Sequence, residues 1–438
     1  MMSFEMMAPV MFGTLVLFLL IGYPVAFSLG AVGLLFGLVG MEVGLLHASL
    51  FQALPERIFG IMGNQTLLAI PFFTFMGLIL ERSGMAEELL DTMAQLFGPM
   101  RGGLAYAVII VGTLLAATTG VVAASVIAMG LISLPVMLRY GYSRSLASGV
   151  IAASGTLAQI IPPSLVLIVM ADQLGVSVGD MYEGAMVPGL ILTGFYFVFV
   201  LLVTLINPAA APALPLEART LHGAALMRRV MTTMVPPLLL IFLVLGTIFV
   251  GVATPTEGGA MGATGALLLA LAHRRLNFSL LKQAMDSTAK LTSFVLFILI
   301  GSTVFSLIFR GVDGDLWVEG LLTGMPGGVI GFLLVVNLLV FLLAFFIDFF
   351  EIAFILVPLL APAAHKLGID LVWFGVLLSV NMQTSFMHPP FGFSLFYLRS
   401  VAPKEVKTTD IYRGAIPFVI IQVIMVALII AFPGLVQQ

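Results

Sequence analysis

The sequence predicts an all-α polytopic membrane protein whose two halves are inverted repeats, each holding a re-entrant hairpin and a broken helix. Three observations carry that expectation. Of the 438 residues, 61% are hydrophobic and 9% charged, with a mean hydropathy of +1.19, which is more apolar surface than one water-soluble core can hide. The apolar runs are roughly 16 to 25 residues long, the length of helical spans and not of ten-residue barrel strands. Prolines, glycines and basic residues of the first half recur in the second at one fixed spacing. The net charge of −3 adds little, and the lack of cysteine excludes a thiolate metal site and a disulfide scaffold.

The N-terminal "MMSFEMMAPVMFGTLVLFLL" has neither a basic leader nor a small-residue cleavage site, so its apolar run reads as a first span. Spans are expected at roughly 8–21, 24–40, 65–81, 103–140, 145–172 and 184–206, then at 234–252, 257–273, 286–309, 327–365, 371–399 and 412–433. The segments 103–140 and 327–365 are too long for one crossing and turn polar halfway, in "AATTGVVAAS" and "FFIDFFEI". Each is expected to enter and return on the same side. Between the two series, "NPAAAPALPLEARTLHGAALMRR" reads as an extramembrane linker with a short surface helix, giving a first repeat at 1–206, a linker at 207–233 and a second repeat at 234–438. The stretch "LLHASLFQALPERIFG" at 45–60 keeps Leu, Phe and Ile on one face and is expected to lie flat at the membrane surface.

Pro162 and Pro163 recur as Pro389 and Pro390, Gly141 as Gly368, Arg139 as Lys366 and Pro135 as Pro362, all 227 positions apart. Such a constant offset marks an internal duplication. If each hairpin returns to its starting side, a repeat crosses five times and its copy must be upside down. Followed in this way, the chain puts fifteen of its eighteen Lys and Arg on one side and only Arg57, Arg310 and Lys366 on the other. That asymmetry assigns the basic side to the cytoplasm and both termini to the opposite side.

The breaks "SGTLAQIIPP" and "NMQTSFMHPP" then acquire a chemical meaning. A proline removes an amide donor, so carbonyls before Pro162 and Pro389 lose helical partners. In hydrocarbon such carbonyls must be buried in protein or used as ligands. Together with hydroxyls such as Thr119, Thr156 and Thr384 they suit a hard cation such as Na⁺, while half-helix N-termini favour an anionic group. A packed proline kink is the plainer reading of either break alone.

The set formed by "SGTLAQIIPPS", "NMQTSFMHPPFG", "TTGVVAASVIAMG", "LLAIPFFTFMGLIL" and "TPTEGGAMGA" resembles the large membrane subunit (M-subunit) of the tripartite ATP-independent periplasmic (TRAP) transporters, over essentially the whole chain. The resemblance implies an elevator-type secondary transporter that imports an organic acid anion with Na⁺ across a bacterial inner membrane. It also implies two protein partners, a small four-helix membrane subunit and a periplasmic substrate-binding protein, and no nucleic acid. Scaffold helices would lie in about 1–100 and 234–275, and a transport domain in about 103–172 and 327–399. Carried over by position, one Na⁺ site falls on Thr118, Thr119 and Gly120 with Ser154, Gly155, Thr156 and the carbonyls of Ala158 and Ile160. The second falls on Ile347, Asp348, Asn381, Thr384 and Met387. The acid would lie among Thr119, Ser154, Asp348, Asn381, Gln383 and His388.

Plainer uses compete for several of these residues. Asp348 and Glu351 lie in a hairpin inside the membrane, where an unpaired charge is costly, yet a tip carboxylate can simply cap a half-helix. Glu257, after "TPT", reads as a cap, and His388 fits a packed core as well as a substrate path. An intramembrane enzyme would need a catalytic pair or metal cluster, but the five His are scattered and neither HExxH nor GxSxG occurs. A channel has no evident need for matched broken helices. The nearest alternative is a one-component Na⁺/carboxylate symporter of the same architecture.

Overall fold

The order of helices follows the sequence signals closely. The structure, a computed structural model, describes residues 4–119, 122–390 and 392–436. The first repeat contains α1 (Phe4–Ile21), α2 (Val25–Glu42), a short arm helix α3 (Leu54–Met62), α4 (Ala69–Arg82), α5 (Met85–Phe97), the hairpin helices α6 (Gly103–Thr119) and α7 (Val122–Arg139), the broken pair α8 (Arg144–Thr156) and α9 (Leu165–Leu174), and α10 (Val178–Ile206). The second contains α11 (Gly223–Phe249), α12 (Pro255–Ala272), α13 (Phe278–Gly311), α14 (Gly314–Thr323), α15 (Gly328–Leu343), α16 (Phe349–Ile355), α17 (Val357–Lys366), α18 (Leu371–Met382), α19 (Phe393–Val401) and α20 (Thr408–Ala431). Six of the described helices are long and apolar enough to cross a membrane, and eight spans result if each bent pair counts as one.

The 227-residue offset extends from single prolines to whole elements. Shifted by it, α1 and α2 fall on α11 and α12, α6 on α15, α7 on α16 and α17, α8 on α18, α9 on α19 and α10 on α20. Gly141 and Gly368, which end α7 and α17, take left-handed φ values of +83° and +73°, a conformation that strains other L-residues. The arm differs between copies. Repeat one stops at Met62 and restarts at Ala69, whereas the matching part of repeat two is the unbroken 34-residue α13.

Packing then crosses between copies. α2 lies along α13, and α4 along α12. Close approach requires small residues, because a Cβ on Gly301 would sit 2.3 Å from the Ala26 carbonyl oxygen and one on Gly262 2.5 Å from Met76 Sδ.

The hairpins do return to their starting faces. Gly102 N–H donates to Ala211 O (2.9 Å), Ser143 N–H to Ala210 O (2.8 Å) and Leu214 N–H to Gly98 O (2.9 Å), so both ends of the α6–α7 hairpin meet the linker on one face. Arg82, bonded to Ser287 (2.9 Å), Arg229, paired with Asp91 (2.8 Å), and Arg275, paired with Glu88, belong to the same face. The α15–α17 hairpin is rooted on the opposite face, where Lys366 meets Glu319 of α14 (2.6 Å), and where Asn64 and Asp172 (2.6 Å), Thr256 and Gln65 (2.6 Å) are also joined.

One boundary and two helices depart from expectation. α11 begins at Gly223, inside the expected linker, because "GAALMRRVMTTM" favours a helix and runs on through Pro236 and Pro237. Helices α5 and α14 were not expected as separate elements. α5 is the more legible of the two, with Glu87, Glu88 and Asp91 set against a buried Leu89, Leu90 and Met93.

Candidate functional site

The two breaks meet at the centre of the molecule. Gln383 Nε2 donates to Thr156 Oγ1 (3.1 Å), and these positions are 227 apart, so a residue here touches its own counterpart. A contact between equivalent positions lies on the axis relating the copies. Gln422 Nε2 of α20 joins the same hydroxyl (3.4 Å) and Tyr196 Oη of α10 (3.0 Å). Every residue from 146 to 171 and from 373 to 388 is buried.

Each break is built in the same way. After α8 the chain makes one tight turn, with Ile160 N–H donating to Leu157 O (3.1 Å), and after α18 Met387 N–H donates to Thr384 O (2.8 Å). Both Pro-Pro peptides are cis. The expected free carbonyls are partly answered by the protein itself: Ser164 Oγ donates to Gln159 O and Ser394 Oγ to Phe386 O, each at 2.5 Å, and Gln159 and Phe386 are equivalent positions. A hydroxyl just past each break thus replaces the amide that proline removed.

Of the first hairpin tip, Gly120 lies outside the described residues, and of Thr118 and Thr119 only the helical backbone is described. Behind that tip, a Cβ on Gly155 would come 2.3 Å from Val126 Cγ2 of α7, so the break lies directly against the hairpin. The second tip is a capping box. Asp348 accepts from Glu351 N–H (3.1 Å), Glu351 accepts from Asp348 N–H (3.1 Å), and α16 and α17 bend by 52° beyond it.

One cavity of about 390 Å³ touches all four of these parts. Val122 and Ala123 come from the first tip, Asp348 and Glu351 from the second, Gln159 from the first break and Phe386 from the other, with Leu291 and Phe294 of α13 as the facing wall. The Gln159 amide is buried and has no hydrogen-bond partner among the described residues. A larger cavity of about 840 Å³ shares Phe294 and Glu351 and extends past Ile347 to Lys290 and the Gly22–Pro24 turn on the basic face.

The other sequence-predicted residues are distributed unevenly around this cavity. Asp348 lines it. Ser154 is buried against Gly112 of α6 and donates to Val150 O (2.6 Å), Thr156 to Ala153 O (2.8 Å) and Thr384 to Asn381 O (2.7 Å). Asn381 Nδ2 bridges to the carbonyl and side-chain oxygens of Asn337 on α15 (2.8 and 2.9 Å). Ala158, Ile160 and Met387 are buried in the turns themselves, Met387 Sδ lying 3.3 Å from Ser394 Oγ. His388 stacks on Phe345 (4.1 Å) and meets the edge of Phe341 (4.4 Å), so its ring packs. Glu257 closes a capping box with Thr254. Gln159, Phe386 and Phe294 line the cavity without having been singled out as site residues; the signal for Gln159 was a polar side chain just before the Pro-Pro pair.

Residues 12–435 match the family model described as "Tripartite ATP-independent periplasmic transporter, DctM component". The chain is 32% identical over 384 residues to the C4-dicarboxylate TRAP transporter large permease protein DctM of Pseudomonas aeruginosa, covering 87% of this chain and 88% of that one. It is 30% identical over 451 residues to the protein of the same name from Rhodobacter capsulatus, covering 98% of each. Among solved structures it is similar to the Alcanivorax borkumensis YdaH transporter, with a TM-score of 0.62 at 17% identity over 89% of this chain and 90% of that one, a likeness of fold. With two broken helices and two hairpins around one cavity, and a family match spanning nearly its whole length, the chain belongs to the DctM family of TRAP transporter large permeases.

Proposed function

We propose that this permease carries an organic acid anion inward by an elevator movement coupled to Na⁺, receiving the acid from a periplasmic binding protein and working beside a small four-helix membrane subunit. The observation that carries this reading is the single cavity bounded by both hairpin tips and both breaks, with two carboxylates in its wall. An organic anion entering beside Asp348 and Glu351 is repelled until cations neutralise them, so anion binding and Na⁺ binding reinforce one another. Na⁺ would be held by break carbonyls and by hydroxyls such as Thr384, which donates to the backbone yet keeps lone pairs for a cation; the Thr156 hydroxyl would serve after releasing the Gln383 or Gln422 amide that it now accepts from. The neighbouring cavity, which shares Phe294 and Glu351 with the central one and reaches Lys290 on the basic face, supports an inward-facing arrangement. In the moving part we include both hairpins and both broken helices; α2, α4, α12 and α13 form the fixed part.

The test is uptake by proteoliposomes holding this chain, its small subunit and the loaded binding protein, with and without an inward Na⁺ gradient. Uptake is expected only with both the gradient and the binding protein. Equal uptake by the chain alone would instead identify a one-component symporter, and Na⁺-independent uptake would remove the coupling. Cysteine pairs between α13 and α16 should cross-link in more than one register if the movement is an elevator, and the absence of native cysteine makes that experiment direct.

A further inference from the structure

The face opposite the basic one carries few cations, and their distribution is not random. Lys366 is occupied by Glu319 at 2.6 Å. Arg57 and Arg310 form no ion pair among the described residues, come from separate elements (α3 and α13), and line one cavity of about 190 Å³. Two exposed like charges gathered at one concave site repel each other, and the arrangement gains by taking up an anion. The one carboxylate in the lining, Asp172, already accepts from Asn64 Nδ2 (2.6 Å) and Gln173 Nε2 (2.9 Å), so it is engaged by amides and not by either arginine.

Its location bears on transport. Arg57, Asn64 and Arg310 belong to the arm and to α13, whereas Asp172 ends α9 beyond the first break and Pro358 opens α17 of the second hairpin. Ser302, also in the lining, donates to Phe354 O of α16 (2.6 Å) across the same seam. The cavity shares no lining residue with the central one.

We infer that the Arg57–Arg310 cavity is a second anion subsite, one that holds a small carboxylate at the outer end of the seam between the fixed and moving parts before it reaches the central cavity. This inference rests on the transport reading for its biological sense, but its test does not depend on uptake. A guanidinium pair suits a carboxylate because each fork can give two parallel hydrogen bonds, and the exposed position allows quick exchange.

The experiment uses the two-subunit membrane complex with Thr303→Cys as its only cysteine, a half-buried position in the cavity lining. Labelling rates are measured with an anionic and a cationic thiosulfonate, with and without millimolar succinate as the probe anion. The anionic reagent is expected to react faster relative to the cationic one, by about two- to fivefold for each arginine, as expected for a unit charge several ångströms away in screened solvent. Arg57→Gln and Arg310→Gln should each remove their share. Succinate should slow labelling in the parent and not in the double variant. Unaltered reagent preference in the double variant, or no slowing by succinate in the parent, overturns the inference. Protection by the empty binding protein but not by succinate also overturns it, since the arginines then serve docking. If protection by succinate holds while no organic acid is taken up, the transport reading fails and the subsite stands.

Discussion

The two copies of the hairpin-and-break unit share a backbone plan and differ in chemistry. In the first, the break is Ser154, Gly155 and Thr156, with Gln159 on the cavity. In the second the equivalent positions are Asn381, Met382, Gln383 and Phe386. The tips diverge further: Asp348 and Glu351 correspond in sequence to Val121 and Ala124. Duplication has conserved the turn and the Pro-Pro pair, whereas the serine that satisfies the exposed carbonyl stands at non-equivalent positions, Ser164 corresponding in sequence to Phe391 and Ser394 to Leu167, so each copy meets in its own way a backbone hydrogen-bonding need that no bilayer can meet. Side chains facing the cavity are free of that constraint. The copies therefore specialise, the first supplying neutral polar contact and close packing, the second supplying charge and aromatic surface.

Paired substitutions at equivalent positions test this division. The largest effect is expected from Gly155→Val, which pushes a branched side chain into Val126 where even a Cβ has 2.3 Å. Na⁺-dependent uptake should fall about 100-fold, while Met382→Val stays within about threefold of the parent. Similar losses at both positions would mean that the copies are equally tight; size-exclusion profiles separate a lost site from a lost fold.

Asp348→Asn keeps the capping geometry, since Asn also caps, and removes one charge. Half-maximal activation should move to about tenfold higher external Na⁺. An unchanged Na⁺ curve would leave Asp348 a cap only. Gln159→Leu deletes the unpartnered amide on the cavity, and the apparent KM for the organic acid should rise about tenfold with kcat nearly kept. Its counterpart Phe386→Leu should change neither by more than about twofold. Ser164→Ala and Ser394→Ala each free one break carbonyl, and thermal unfolding of the detergent-solubilised complex should show a loss of about 1–2 kcal/mol for each. Unequal losses would show that one copy satisfies its carbonyl by other means. Thr156→Ser, which retains the hydroxyl on the axis, should be the mildest, within about twofold in uptake.

Much of this architecture can be read without coordinates. Apolar run lengths give the spans, the polar midpoints give the hairpins, and the 227-residue offset gives the repeats, because bilayer thickness and backbone satisfaction leave few solutions for such a chain. The site is less legible. Ser154, Asn381 and Gln383 look like ligands in a list of polar residues, yet their bonds run to Val150, Asn337 and Thr156, within or between helices. His388 looks reactive and is packed between phenylalanines.

Sequence by itself thus determined the membrane setting, the duplication, the inversion and the positions of both breaks, all of which follow from short-range rules on hydropathy, charge and proline. Tertiary structure alone decided that Thr156 meets Gln383 on the axis, that serines past each break reclaim the carbonyls, and that Gln159, Phe386 and the Asp348–Glu351 box share one cavity. It also brought Arg57 and Arg310, 253 residues apart in the chain, to the same cavity. Those contacts depend on the crossing of helices from opposite halves, such as α8 against α20, where a Cβ on Gly149 would sit 2.2 Å from Gly414 O, a close approach that no local pattern specifies.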